Sequence, residues 1–145
     1  MLALLLLAMA VGLLLPLQAG INAQLRTAIG DPLGAALISF VVGTAGIAVV
    51  MLALRVPLPL AAAWQRSEWT WWTGGLLGAT YVALAVVLAP RLGAGTLTAA
   101  VVAGQMLTSV VLDHYGWVGF TQQPLSATRL AGAALVVAGV LLIQR

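Results

Sequence analysis

The chain has no cysteine and very little charge: 6% of its 145 residues are charged, against about a quarter in an ordinary soluble domain. The first absence excludes a disulfide framework and thiol chemistry. The second leaves too few ions to cover a water-facing surface. Lysine is absent, and the few acids and the one histidine (Asp31, Glu68, Asp113 and His114) lie at the ends of apolar runs or between them. No Asp, Glu, Lys or His therefore stands near the middle of a run, where a proton-driven exchanger normally keeps a titratable carboxylate. Metal-ligand spacings, a phosphate-binding loop and a nucleophile with a base in register are missing too. No metal, no cofactor and no enzymatic activity are expected. Asp113 and His114 are adjacent, so they do not face each other on a helix. Capping and hydration at an interface suit them better than catalysis.

What is present is apolar. Hydrophobic residues make up 63% of the chain and the mean hydropathy is +1.13, which indicates an integral membrane protein. The net charge of +3 comes entirely from arginine among the bases. These arginines are scattered singly, without the basic stripe or aromatic platform that a nucleic acid would need. They read as boundary residues of membrane helices, and no nucleic-acid partner is expected.

An apolar helix crosses the hydrocarbon core in roughly 20 residues, and five runs have about that length: 2–25, 33–54, 70–89, 94–112 and 127–143. Asp31-Pro32 opens the second as a capping acid with proline at the first helical position. Pro90 closes the third. Asp113-His114-Tyr115-Gly116 closes the fourth, with Gly116 placed as a capping glycine. Ser126 is placed to cap the fifth. Membrane strands would alternate over about ten residues, and these runs are continuous. The expected fold is all-α: a single domain over 1–145, an integral membrane bundle of five transmembrane helices. The opening "MLALLLLAMAVGLLLPLQA" imitates a signal peptide but lacks the positive leading region, and its apolar core exceeds the usual length of about 7–15 residues. It is read as the first span. The longest connection, 55–69, is expected to lie along the membrane surface. Trp64, Trp69, Trp71, Trp72 and Trp117 all fall in or beside two connections that five spans place on one side, where indole rings favour the interface.

Arginine also sets orientation. With five spans, Arg55, Arg66 and Arg129 lie on the side of the N-terminus, and Arg26, Arg91 and Arg145 lie opposite. A chain so balanced is expected to insert both ways and to pair with an inverted copy, an antiparallel, dual-topology homodimer. Such a pair builds from two chains what larger transporters build from inverted repeats, with a site at the centre.

Helices in lipid pack through small residues. Ser39 and Gly43 in the second run, Gly74 and Gly78 in the third, and Gly132 and Gly139 in the fifth are the expected packing seams. The polar residues within the runs carry more information, because an unpartnered amide in an apolar medium costs several kcal/mol. Thr44, Thr80 and Thr108 can return their hydroxyls to the preceding turn, as Ser39 can. The amides of Gln18, Asn22 and Gln105 cannot. Either they tie helices together or, with Tyr81 and Ser109, they line a substrate-binding cavity. Gln18 and Asn22 share one face of the first run. Pro16, just before them, frees a backbone carbonyl one turn earlier.

These residues also carry a resemblance. Pro16, Gln18 and Asn22 with Leu25-Arg26 resemble the first helix of the YdcZ-like proteins, a five-helix branch of the drug/metabolite transporter superfamily. Asp31-Pro32, Ala35, Ser39-Phe40 and Gly43 are similar to the second. "WWTGGLLGATYV", "PRLGAGTL", "VAGQMLTSVVLDHYGW" and "RLAGAALVVAGVLLI" are similar to the remaining three. The resemblance covers nearly the whole chain. It implies a multi-pass protein of the bacterial inner membrane, with a role in transport. Related small multidrug-resistance proteins work as antiparallel dimers and use a glutamate in the first helix for proton exchange. This chain has amides in that helix and no acid. The resulting expectation is a small secondary transporter or facilitator of a polar or neutral solute, working by alternating access without an intramembrane carboxylate. The alternative is a non-transporting membrane module, or a subunit of a hetero-oligomer, in which the amides are fastenings.

Overall fold

The computed structural model describes residues 1–143, and Arg145, which enters the arginine balance, lies outside them. Every regular element among the described residues is helical. The chain divides into two compact units, 1–90 and 91–145.

The first unit begins with α1 (Leu2–Gly12) and α2 (Leu14–Ile29). They join through Leu13, which keeps helical dihedrals, so that together they form one apolar rod of 28 residues. The interruption lies where Pro16 dictates. Proline has no N–H for the carbonyl of Gly12, and its ring crowds that turn. None of α1 is buried, as expected of a segment without a single polar side chain and with lipid as its solvent. α2 ends at Gly30, which adopts a left-handed conformation and donates its N–H to the carbonyl of Arg26 at 2.8 Å. Asp31 then caps α3 (Pro32–Ala53), its carboxylate accepting from the N–H of Gly34, with Pro32 in the first turn. The cap read from Asp31-Pro32 is present. The turn is too short for anything except an antiparallel α2–α3 hairpin, and these two helices pack together.

Past α3 the chain turns at Arg55, a non-glycine residue at φ 53°. The N–H of Val56 reaches back to the carbonyl of Met51 at 2.9 Å, closing the helix end as a left-handed cap does. The long connection contains a short helix, α4 (Leu60–Arg66), and a 3-10 turn over Trp69–Trp72. α5 (Thr73–Tyr115) follows, apolar over 43 residues. At 1.5 Å per residue it is about twice the length needed to cross a ~30 Å core. Gly93, at φ 75° and ψ 161°, interrupts it, leaving two stretches of span length.

The expected stop at Pro90 does not occur: helix continues through it and breaks at Gly93. Proline costs a helix its bond to the carbonyl four residues back, here that of Val86, which is fully buried. Arg26 supplies the missing donor, its Nη1 lying 3.4 Å from the Val86 oxygen. The dihedral change falls on glycine because only glycine adopts such angles without a Cβ clash. The core of this unit is Ala35 and Ala36 of α3 against Val82 and Val86 of α5, flanked by Leu25, Tyr81 and Ala83. Alanines there let helix axes approach closely.

In the second unit, the last part of α5 and α6 (Ala127–Ile143) frame a folded connection. Gly116 caps α5 at φ 65°, and a Cβ there would lie 3.2 Å from that of Gln122. Ser126 Oγ accepts from the N–H of Arg129 at 3.2 Å, so both caps read from the sequence form. The connection is tied back by the N–H of Gln123 on the Asp113 carbonyl at 2.7 Å, by Gln122 Nε2 on the His114 carbonyl at 3.0 Å and by the N–H of Leu125 on His114 Nδ1 at 3.3 Å. Arg129 pairs with Asp113 and donates to the carbonyl of Gln123 at 3.0 Å.

Candidate functional site

The α2–α3 hairpin fixes which residues stand level. Counting from the turn at Gly30-Asp31, Gln18 on α2 matches Gly43 and Thr44 on α3, and Asn22 matches Ser39. Gln18 lies 12 residues from the turn, or about 18 Å along the helix, near the middle of a ~30 Å core. An open cleft of about 210 Å3 is found there, lined by Gln18, Ser39, Phe40, Gly43, Thr44 and Ile47. One carboxamide and two hydroxyls thus meet on an otherwise apolar wall. Gln18 is exposed, and its amide is free to bond whatever enters.

Asn22, one turn on, behaves differently. At 4% exposure it is the one buried polar side chain among the described residues. Arg26 follows at the same spacing, half-buried. Residues four apart lie on one helix face, so Gln18, Asn22 and Arg26 form a continuous polar stripe down α2. Sequence reasoning paired the first two and counted Arg26 as a boundary charge. The signal for the third was the repeated spacing of four.

The other expected site residues are placed as follows. Tyr81 is half-buried and packs against the alanine–valine core of the first unit. Gln105 and Ser109 lie one turn apart in the second unit, both exposed. The Ser109 hydroxyl donates to the Met106 carbonyl at 3.0 Å, and Thr80 does the same to Leu76 at 2.9 Å, the local bonding expected of mid-helix hydroxyls. Of the expected packing residues, Gly78 has the Phe40 ring at 3.8 Å from a notional Cβ, whereas Gly43, Gly74, Gly132 and Gly139 face open space within the chain. Ser39 and Thr44 line the cleft. Neither was singled out as a ligand-binding residue, because a hydroxyl that can bond its own helix announces nothing about its neighbours.

A second recess, of about 310 Å3, opens in the connection between α3 and α5, lined by Trp64, Ser67, Trp69 and Trp72. Ser67 Oγ donates to the Ala63 carbonyl at 2.6 Å and accepts from Trp72 Nε1 at 2.9 Å, which fixes the indole. Rings held this way suit a membrane interface, where their apolar bodies favour lipid while the N–H is satisfied.

No group of three or more metal-ligating side chains gathers among the described residues. What the arrangement offers is neutral hydrogen bonding on an apolar wall, with Arg26 about two turns farther along α2. No curated protein and no solved structure matches the chain. The sequence model of the family described as "Putative inner membrane exporter, YdcZ" matches residues 3–142, and with nearly its whole length matched the chain belongs to that family.

Proposed function

We propose that the chain is a small secondary transporter or facilitator that carries a polar solute across the inner membrane by alternating access. In this reading residues 1–145 form one five-span bundle, and two copies pair antiparallel. The solute binds by hydrogen bonds to Gln18, Ser39 and Thr44, with Asn22 behind them. Gln105, Ser109 and Tyr81 contribute as the second half of the cavity forms. The observation that carries the reading is the open cleft around Gln18. A carboxamide at mid-depth with room beside it is costly in lipid unless water or a solute occupies that room. Membership of an exporter family supports transport. The near-equal arginine balance supports the inverted pair, as do the uncovered glycines at 74, 132 and 139.

Reconstituted protein in liposomes, given labelled hydroxyl-rich probes, tests the carrier. Gln18→Ala should lower uptake about tenfold, the loss of one or two bonds to a bound solute, while the variant elutes like the parent. Gln105→Ala should act in the same direction. Unchanged uptake in both variants would show that the amides are fastenings, as the module reading requires. Tags at both termini test the pairing: each should be reachable from both sides of the membrane, and a single orientation would remove the antiparallel homodimer.

A further inference from the structure

We infer that the solute is an anion, and that Arg26 is the residue that selects it. The inference rests on the carrier reading above and adds the charge of the cargo.

Arg26 continues the stripe of Gln18 and Asn22 at the same four-residue spacing. It lies four residues from the turn, about 6 Å along the axis, where the polar stripe meets the edge of the membrane. Its guanidinium is half-buried and makes a single hydrogen bond, to the Val86 carbonyl. A guanidinium has five N–H donors, so most of its capacity is open. Among the described residues no carboxylate pairs with it. Asp31 is engaged in capping α3, Asp113 is paired with Arg129, and Glu68 lies in the connection before α5. A partly desolvated cation without a counter-ion is unfavourable until an anion supplies one. The geometry of a planar fork suits a carboxylate, sulfonate or phosphate, which it can hold through two parallel bonds.

The remaining composition points the same way. No carboxylate lies near the middle of a span, and Asp113 at the end of α5 is already paired with Arg129, so a cationic solute would find no free acid on this stripe and would be repelled by Arg26. A neutral solute would use the amide and hydroxyls but leave the guanidinium unanswered. An anion with hydrogen-bonding groups uses both: its charged end sits on Arg26 and its hydroxyls or amides extend along the stripe toward Asn22 and Ser39, about one turn away.

Three open-chain polyols of similar size and different charge make the test: gluconate, sorbitol and N-methylglucamine, each offered to proteoliposomes of the full chain. Gluconate should enter about tenfold faster than sorbitol, with N-methylglucamine slowest, since a charge-assisted bond is worth roughly one factor of ten or more over a neutral one. Arg26→Gln removes the charge and leaves a neutral amide, too short to reach the Val86 carbonyl, so it is made in a Pro90→Ala background, where the backbone N–H at 90 serves that carbonyl. It should elute as folded protein and lose the gluconate preference, so that gluconate enters no faster than sorbitol. Arg26→Lys should keep most of the preference. Equal uptake of gluconate and sorbitol by the parent, or a preference that survives Arg26→Gln, would overturn the anion assignment while leaving a carrier in place. Entry of none of the three would overturn the carrier reading and the inference with it.

Discussion

Arg26 and Arg129 are both half-buried arginines near helix ends, yet their surroundings are opposite. Arg129 has a counter-ion and more: the Asp113 carboxylate and the Gln123 carbonyl for its guanidinium, and the Ser126 hydroxyl for its backbone N–H. Its charge is cancelled within the second unit and its role ends there. Arg26 has one carbonyl, made available only because Pro90 cannot donate to it. The first is a bolt that holds a connection closed. The second is a charge kept on a polar stripe with most of its donors free. The same residue type, at similar exposure, is structural in one place and available for a ligand in the other, and the difference lies in whether an acid is near.

The comparison breaks most visibly at Arg129. Replacing it with alanine strands Asp113, whose side chain is 21% exposed, and removes the tie to Gln123. The expected loss is about 2 kcal/mol of stability, typical of a charge-assisted bond with its partner left partly desolvated. Denaturant titration in mixed micelles measures it. Asp113→Ala should cost a similar amount, and the double variant should cost less than the sum of the two. Additive losses would mean that the pair is not coupled and that Arg129 is no better satisfied than Arg26.

A smaller effect is expected at Arg26, and its size depends on Pro90. In the parent chain Arg26→Ala leaves the buried Val86 carbonyl without a donor. In a Pro90→Ala background the new N–H at position 90 restores the ordinary helical bond. The cost of Arg26→Ala should therefore drop by about 1 kcal/mol when alanine stands at 90, the net worth of one hydrogen bond. The same unfolding titration, run as a four-member cycle, gives the coupling. A cost independent of residue 90 would mean that the guanidinium does not serve that carbonyl, and the helix through Pro90 would then need another explanation.

Pro90 also shows where the sequence is and is not legible. The apolar runs, the Asp31 cap, Gly116 and Ser126 depend on neighbours within a few residues, and each is found where local chemistry puts it. The end of the third run depends on Arg26, sixty residues away, because a proline is tolerated when the carbonyl it orphans finds another donor. A local reading sees proline and glycine three residues apart and cannot choose between them. The Asp113–Arg129 pair is hidden for the same reason, since it spans a connection whose folding sets the distance. At the candidate site, Gln18 stands out because a carboxamide in an apolar run has no local remedy. Ser39 and Thr44 do not, because a hydroxyl has one. Their meeting with Gln18 is a consequence of hairpin register, which the two-residue turn fixes but no periodicity announces.

Arg55 sharpens the contrast from a third position, with the smallest effect. It has no bonded partner for its guanidinium among the described residues, and its backbone sits at φ 53° to close α3. An L-residue pays roughly 1–2 kcal/mol for that conformation, and glycine does not, though glycine also gives the unfolded chain more freedom to lose, about 0.5–1 kcal/mol. The two terms oppose, so Arg55→Gly should stabilise the fold by about 0.5 kcal/mol, where the same change at Arg129 would destabilise it severalfold more. The substitution also takes one positive charge from the side of the N-terminus, turning a three-to-three balance into two against three. If orientation follows that balance, terminal tags should move measurably toward the orientation that retains Arg26, Arg91 and Arg145 in the cytoplasm. An arginine that destabilises its own turn and whose removal still leaves the orientation ratio untouched would have neither the structural role of Arg129 nor a topological one, and the charge balance would lose its force as an argument for inverted pairing.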